Sequence, residues 1–179
     1  MPLFFITGAS GTGKSSVVSA LKHRGYEAYD VDERGPVTAK WHNNITGYVH
    51  PKSSINTEDR TPEFIKNHSW NVPRQEVLEL LAKSTTRAVF VAGAIANEAE
   101  IQDLFQTIFV LQIDDETLKY RLMNRIDNDW GKHPHELEQS LEHNRKMHEV
   151  YESLGYTTID ATQPLDNIVD EILNQFHEK

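Results

Sequence analysis

The chain has 179 residues and a mass of 20.5 kDa, 38% of them hydrophobic and 25% charged, enough for one sizeable core and slightly more than the commonest domain size. A net charge of -9 and a pI near 5.4 argue against a broad nucleic-acid surface, which depends on clustered lysine and arginine, while leaving room for a small anion in a local basic pocket. The lack of cysteine excludes disulfides and thiolate chemistry, and no apolar run approaches the length of a bilayer span.

The chain opens Met-Pro-Leu-Phe-Phe, with no basic region ahead of its apolar run, which predicts a cytoplasmic protein rather than a secreted one. Leu3 to Ile6 is a short run of strand-forming residues. Gly8-Ala9-Ser10-Gly11-Thr12-Gly13-Lys14-Ser15 follows and fits G-x-x-x-x-G-K-[ST] at every fixed position. From Lys14 to His23, Val17, Val18 and Leu21 recur at helical spacing, and Gly25 ends the helix. Tyr26 to Val31 reads as a second strand running into the acidic Asp30-Val31-Asp32-Glu33. The stretch from Gly35 to Pro73 is polar, weakly periodic and punctuated by Pro36, Pro51, Pro62 and Pro73, as expected of an insertion.

Arg74 opens a helix-like stretch. Arg87 to Ile95 and Thr107 to Ile113 are continuous apolar runs of the kind that forms strands buried on both faces. Arg121 and Arg125 then stand four apart, which predicts that they share one face of a helix. Asp127 to Pro134 is a polar break before a further helical stretch, and Tyr156 to Asp160 is a last strand leading to a helix behind Pro164. Strands alternating with helices predict an α/β fold with a parallel sheet between helical layers, its ligands beyond the carboxyl ends of the strands. The phosphate loop and the acidic pair both fall at those ends, and the two polar segments, about 35–73 and 126–134, are expected to lie over the same site as insertions able to act as lids.

The loop carries the strongest functional signal. Its glycines permit a backbone path that turns successive N–H groups inward, and the following helix aims its partial positive end at the same anion. Residues Gly8 through Ser16 are thus expected to hold the phosphates of a nucleotide, with Lys14 as a mobile cation at the outer phosphates and the Ser15 hydroxyl as a ligand of Mg²⁺. The loop alone does not separate kinases from GTPases and motor ATPases.

In the order of its motifs the chain resembles the P-loop small-molecule kinases, the group of the nucleoside monophosphate, shikimate and gluconate kinases. The resemblance implies a three-layer α/β/α P-loop fold with a five-stranded parallel sheet, and transfer of the γ-phosphoryl group of Mg-ATP to a small acceptor. In the shikimate and gluconate kinase branch an Asp-x-Asp ends the second strand. Asp30-Val31-Asp32 is similar to it, implying that Asp30 helps hold Mg²⁺ and that Asp32 faces the acceptor hydroxyl, where a carboxylate within hydrogen-bond reach can accept its proton. Arg121 and Arg125 resemble the arginine pair before the lid of nucleoside monophosphate kinases, one packing on adenine and one contacting the transferring phosphate; the other reading is a solvated face pairing with Asp114, Asp115 or Glu116. Among Arg34, Arg60 and Arg74, in or beside the insertion, Arg34 and Arg74 are taken as acceptor contacts together with Gly93, and Arg145 as a further phosphate contact. Thr162 and Gln163, after the last strand, are expected to run past the adenine.

The third strand offers no terminal Asp for metal, so the metal site rests on Ser15, Asp30 and phosphate oxygens. Sequence lacks a glycine run where shikimate kinases usually have one, which argues against shikimate itself, and lacks an N-K-x-D guanine motif, which favours ATP. His133, His135, His143 and His148 cluster without tight ligand spacing and are read as ordinary surface histidines. Trp41, Trp70 and Trp130 either stack on an acceptor ring or anchor the inserted segments. The expected activity is an ATP-dependent kinase of a nucleotide or nucleoside, with a sugar acid or another hydroxylated metabolite as the alternative acceptor and a non-enzymatic nucleotide switch as the rival class.

Overall fold

The computed structural model describes residues 2–51, 54–84, 88–126 and 129–177, with the side chains of Met147, His148, Phe176 and His177 excepted. Strand β1 (Leu3–Thr7) runs through the phosphate loop into helix α1 (Lys14–His23), and β2 (Glu27–Asp30) follows. The expected insertion contains β3 (Lys40–Asn43), a 3-10 turn (Thr57–Asp59), α2 (Pro62–Asn67) and β4 (His68–Asn71). Then come α3 (Arg74–Lys83), β5 (Val89–Ala92), α4 (Glu98–Ile101), β6 (Thr107–Gln112), α5 (Asp115–Asn124), α6 (Pro134–Ser153), β7 (Thr157–Asp160) and α7 (Leu165–His177). Arg87, the first residue of the expected third strand, and Asp127, the first of the expected lid, lie outside the described residues.

Five strands form one parallel sheet in the order β2-β5-β1-β6-β7. Alternation along β1 sorts the core into two layers. Phe4 and Ile6 face Val17, Val18 and Leu21 of α1 with Leu118 and Leu122 of α5, while Leu3 and Phe5 face Val77 and Leu80 of α3 with Ile101 of α4. Both sheet faces are therefore covered by helices, and the central strands β1, β5 and β6 read as nearly unbroken apolar runs because neither of their faces meets water. With β1 central and the chain leaving it in both directions, the carboxyl ends of β1, β2 and β5 meet where a doubly wound sheet places its ligands.

Local signals set the helix starts. Asp114 accepts the Thr117 amide at 2.8 Å ahead of α5, Thr61 accepts the Phe64 amide at 3.2 Å ahead of α2, and Pro134 stands at the first turn of α6.

The insertion is more ordered than its polarity predicts. β3 and β4 pair antiparallel with Trp41 opposite Trp70, and Val37, Ala39 and Val72 anchor them to the second core layer. A cross-strand aromatic pair of this kind stabilises a short ribbon beyond its area burial. None of the helices among the described residues is long and apolar enough to cross a membrane.

Candidate active site

β1 carries the chain out of the core into the loop. Gly8 has φ +139°, and a Cβ there would stand 2.5 Å from the Leu111 carbonyl oxygen, so both conformation and neighbour require glycine. Gly13 caps α1 in a left-handed conformation with no side-chain cap bond, leaving the first-turn amides facing the concavity of the loop. The Lys14 ammonium folds back across the loop and donates to the carbonyls of Gly8 and Ala9, each at 2.8 Å. Burial pushes its pKa down to about 8, with Asp32 and Asp30 pulling it up and Arg125 pushing it down. An anion in the loop would restore the charged form.

At the end of β2, Asp30 is buried and accepts the Ser15 hydroxyl at 2.6 Å. Its other oxygen accepts the Asp32 amide at 2.9 Å. A hydroxyl and a carboxylate brought together beside the phosphate loop are hard oxygen donors, and Mg²⁺ needs only one or two such protein ligands beside phosphate and water. The pair fits that ion. Among the described residues no group of three or more His, Asp or Glu side chains gathers as a metal site. Asp32 is exposed and accepts the Trp70 indole N–H at 2.8 Å.

The two arginines reach the loop by different routes. Arg121, in the last turn of α5, donates to the Thr12 carbonyl at 3.3 Å and to Ala161 at 3.0 Å, tying the loop to the end of β7. Arg125 does not share its helical face: its amide makes a last helical bond to Arg121, and its own backbone is extended. That turn sends the guanidinium to the Ser10 hydroxyl at 3.2 Å and the Trp130 carbonyl at 2.8 Å. Both thus approach the phosphate loop, Arg121 through the Thr12 and Ala161 carbonyls and Arg125 through the Ser10 hydroxyl and the Trp130 carbonyl.

Insertion and lid meet across the site. Arg60 stands over Trp130, bonds Asp129 at 3.0 Å and lies 3.0 Å from the fully buried Glu136 carboxylate, an ion contact without hydrogen-bond alignment. Glu136 also accepts the Gly131 amide at 2.9 Å, and His135 bonds the Arg60 carbonyl at 2.9 Å. Trp41 packs on Phe64, Trp70 and Trp130 with ring centroids 5.2, 5.1 and 6.3 Å away. Beneath this bridge lies a cavity of about 1190 Å³ that reaches Ser10 and is walled by Asp32, Trp41, Trp70, Arg125, Trp130 and His143. Of the two roles expected of the tryptophans, anchoring is present, since they join insertion to lid, and all three line the space beside the loop.

His143 was not legible as a site residue. It projects from α6 into the cavity wall, and burial followed by Lys14 holds its pKa below the ordinary imidazole value. The side chain of His148 lies outside the described residues. Other expected contacts stand away from the cavity lining. Arg74 pairs with both oxygens of Asp103 at 2.6 Å and with the Glu100 carbonyl. Arg34 is exposed in the turn after β2. Gly93 packs the end of β5 against Val31, whose Cγ2 would lie 2.3 Å from an added Cβ. Arg145 pairs with Asp115. Thr162 caps back on Asp160 with amide and hydroxyl, and Gln163 bonds Glu171 at 3.3 Å, so the turn after β7 sits beside Arg121 through Ala161. Arg60, not Arg74, is the insertion arginine at the cavity.

No family model and no curated protein matches this sequence. Solved structures do match in fold. A shikimate kinase from Acinetobacter baumannii in complex with shikimate aligns over 99% of this chain and 94% of its own with TM-score 0.61 at 14% identity. A deoxyadenosine kinase from M. mycoides with bound dATP aligns over 99% and 100% with TM-score 0.55 at 12% identity. A gluconokinase from Sinorhizobium meliloti 1021 aligns over 95% and 88% with TM-score 0.50 at 20% identity. The architecture of this chain is that of the P-loop small-molecule kinases.

Proposed function

We propose that the protein is a phosphotransferase that moves the γ-phosphoryl group of Mg-ATP to a hydroxyl of a small acceptor, a nucleoside or nucleotide in first place. The observation that carries the reading is the cavity of about 1190 Å³ opening directly onto the phosphate loop at Ser10, with Asp32 and Arg125 in its wall. A nucleotide switch has no use for a second, acceptor-sized space at the outer end of its phosphate site. The indole walls suit a planar ring. The acidic pair at the end of β2 supports the alternative, a sugar acid or similar polyol.

In this mechanism the amides of Gly8 to Ser16 hold the phosphates, and Lys14 leaves the Gly8 and Ala9 carbonyls to neutralise the outer ones. Ser15 and Asp30 would hold Mg²⁺, which would supply positive charge to the phosphates. Arg121 and Arg125 approach from the opposite side, placing cations where charge spreads over the transferring group. Asp32 orients the acceptor hydroxyl and takes its proton. Thr162 and Gln163 border the base of the nucleotide, and Arg34, Arg74 and Gly93, which stand outside the cavity lining, are the outermost acceptor contacts. The site is assigned to the cytoplasm with the protein.

The test is ATP consumption measured alone and with AMP, adenosine and gluconate. Stimulation by adenosine or AMP supports the first reading and stimulation by gluconate the second. Slow hydrolysis unaffected by any of them would make the protein a nucleotide-binding switch.

A further inference from the structure

Asp32 stands on an exposed turn, where an aspartate side chain ordinarily samples several staggered rotamers. Here one carboxylate oxygen, Oδ1, accepts the Trp70 indole N–H at 2.8 Å. Trp70 is held in turn: it lies on β4 opposite Trp41 and packs against the second core layer. Asp32 and Trp70 both line the cavity. The backbone of Asp32 is fixed separately, by its N–H donating to the Asp30 carboxylate at 2.9 Å. Main chain and side chain of the same residue are therefore pinned from two directions, the first by the strand that holds the nucleotide end of the site and the second by the insertion.

We propose that Trp70 is a positioning residue for phosphoryl transfer: its indole N–H, bonded to Oδ1, fixes the rotamer in which the Asp32 carboxylate meets the acceptor hydroxyl. The proposal rests on the reading of Asp32 as the proton acceptor. It assigns the insertion a part in the chemical step as well as in acceptor binding, because the ribbon that walls the cavity also sets the rotamer of the base. A neutral N–H donor suits the task, since a cation at the same place would form an ion pair and make the carboxylate a poorer proton acceptor.

The experiment uses Trp70→Phe, which keeps an aromatic ring and removes the donor, with Asp32→Ala and the double variant. Kinetics are run with Mg-ATP and whichever of adenosine, AMP or gluconate gives the highest rate. Misplacement of a reacting group by about 1 Å can cost on the order of a hundredfold, so loss of one rotamer restraint is expected to lower kcat about tenfold. KM for ATP is expected to stay within about twofold. In the Asp32→Ala background, Trp70→Phe is expected to cost nothing further, as residues acting as one unit are non-additive. Independently, in ¹⁵N-labelled protein the indole signal that Trp70→Phe deletes is expected to move in Asp32→Ala. An inactive Asp32→Ala beside a fully active Trp70→Phe overturns the positioning role alone. Equal, additive losses in both backgrounds, or an indole signal unmoved by Asp32→Ala, also overturn it. Full kcat in Asp32→Ala removes the proton acceptor and the clamp together.

Discussion

Lys14 carries its charge into a buried place where only two carbonyl oxygens receive it. Its lowered pKa means that the folded chain holds this cation at a cost in the absence of an anion. Lys14→Ala is accordingly expected to reduce turnover by about two to three orders of magnitude, in the range seen when a single stabilising donor is removed, while the melting temperature stays level or rises. Retained full turnover would take the loop out of the mechanism. His143 gives the pH dependence. Burial and Lys14 depress its pKa below 6.5, so between the folded and unfolded values the unfolded chain binds more protons. Stability therefore rises with pH through that window and falls as pH drops below about 6.5. In His143→Gln the loss of melting temperature between about pH 7 and pH 5.5 is expected to be shallower, though still present because His42 is depressed too; an unchanged slope contradicts the assignment. Lys14 could be read from the sequence because the carbonyls that receive it, of Gly8 and Ala9, belong to the same loop, and Ser15 because it closes the loop motif, although its partner Asp30 stands at the end of β2. His143 could not, since α6 brings it to Lys14 only in the folded chain.

Among the elements, the central strands were legible because full burial demands unbroken apolar runs, and β1, β5 and β6 fall where those runs lie. The β3–β4 ribbon was not. Lys-Trp-His-Asn and His-Ser-Trp-Asn have no strand pattern of their own, and their pairing, with Trp41 opposite Trp70, joins segments far apart in sequence. The end of α5 was misjudged by the same kind of limit: spacing alone continues the helix to Arg125, whereas the chain turns there to deliver a guanidinium to Ser10. The close approach of β5 to Val31 gives a test at this scale. Gly93→Ala places a Cβ 2.3 Å from Val31 Cγ2 and is expected to destabilise by about 1–3 kcal/mol, the usual cost of overpacking. Combined with Val31→Ala, urea denaturation is expected to show less than the sum of the two single losses; strict additivity would separate them.

For the whole molecule, the insertion and the segment before α6 are joined through Arg60, Asp129, Trp130 and Glu136. A carboxylate as deeply buried as Glu136 tolerates loss of its cation poorly, and removing one partner of a buried pair costs about 3–5 kcal/mol. The imperfect alignment of Arg60 with Glu136 and the surviving Gly131 N–H bond place this case at about 3 kcal/mol. Arg60→Met is expected to release that amount locally: hydrogen exchange at the Gly131 amide should quicken more than exchange in β1, and KM for the acceptor should rise. Equal protection in both places would mean that the bridge does not hold the segment. The layered fold was readable from alternating strands and helices, but the bridge was not, because no spacing rule connects residue 60 to residue 136.

The chain has three tryptophans, and all three stand in the wall of one cavity. Its indole emission thus originates at that cavity, with no tryptophan elsewhere to add background. An occupant that stacks there would quench or shift that light, so the native, unlabelled protein is its own optical sensor for screening compounds.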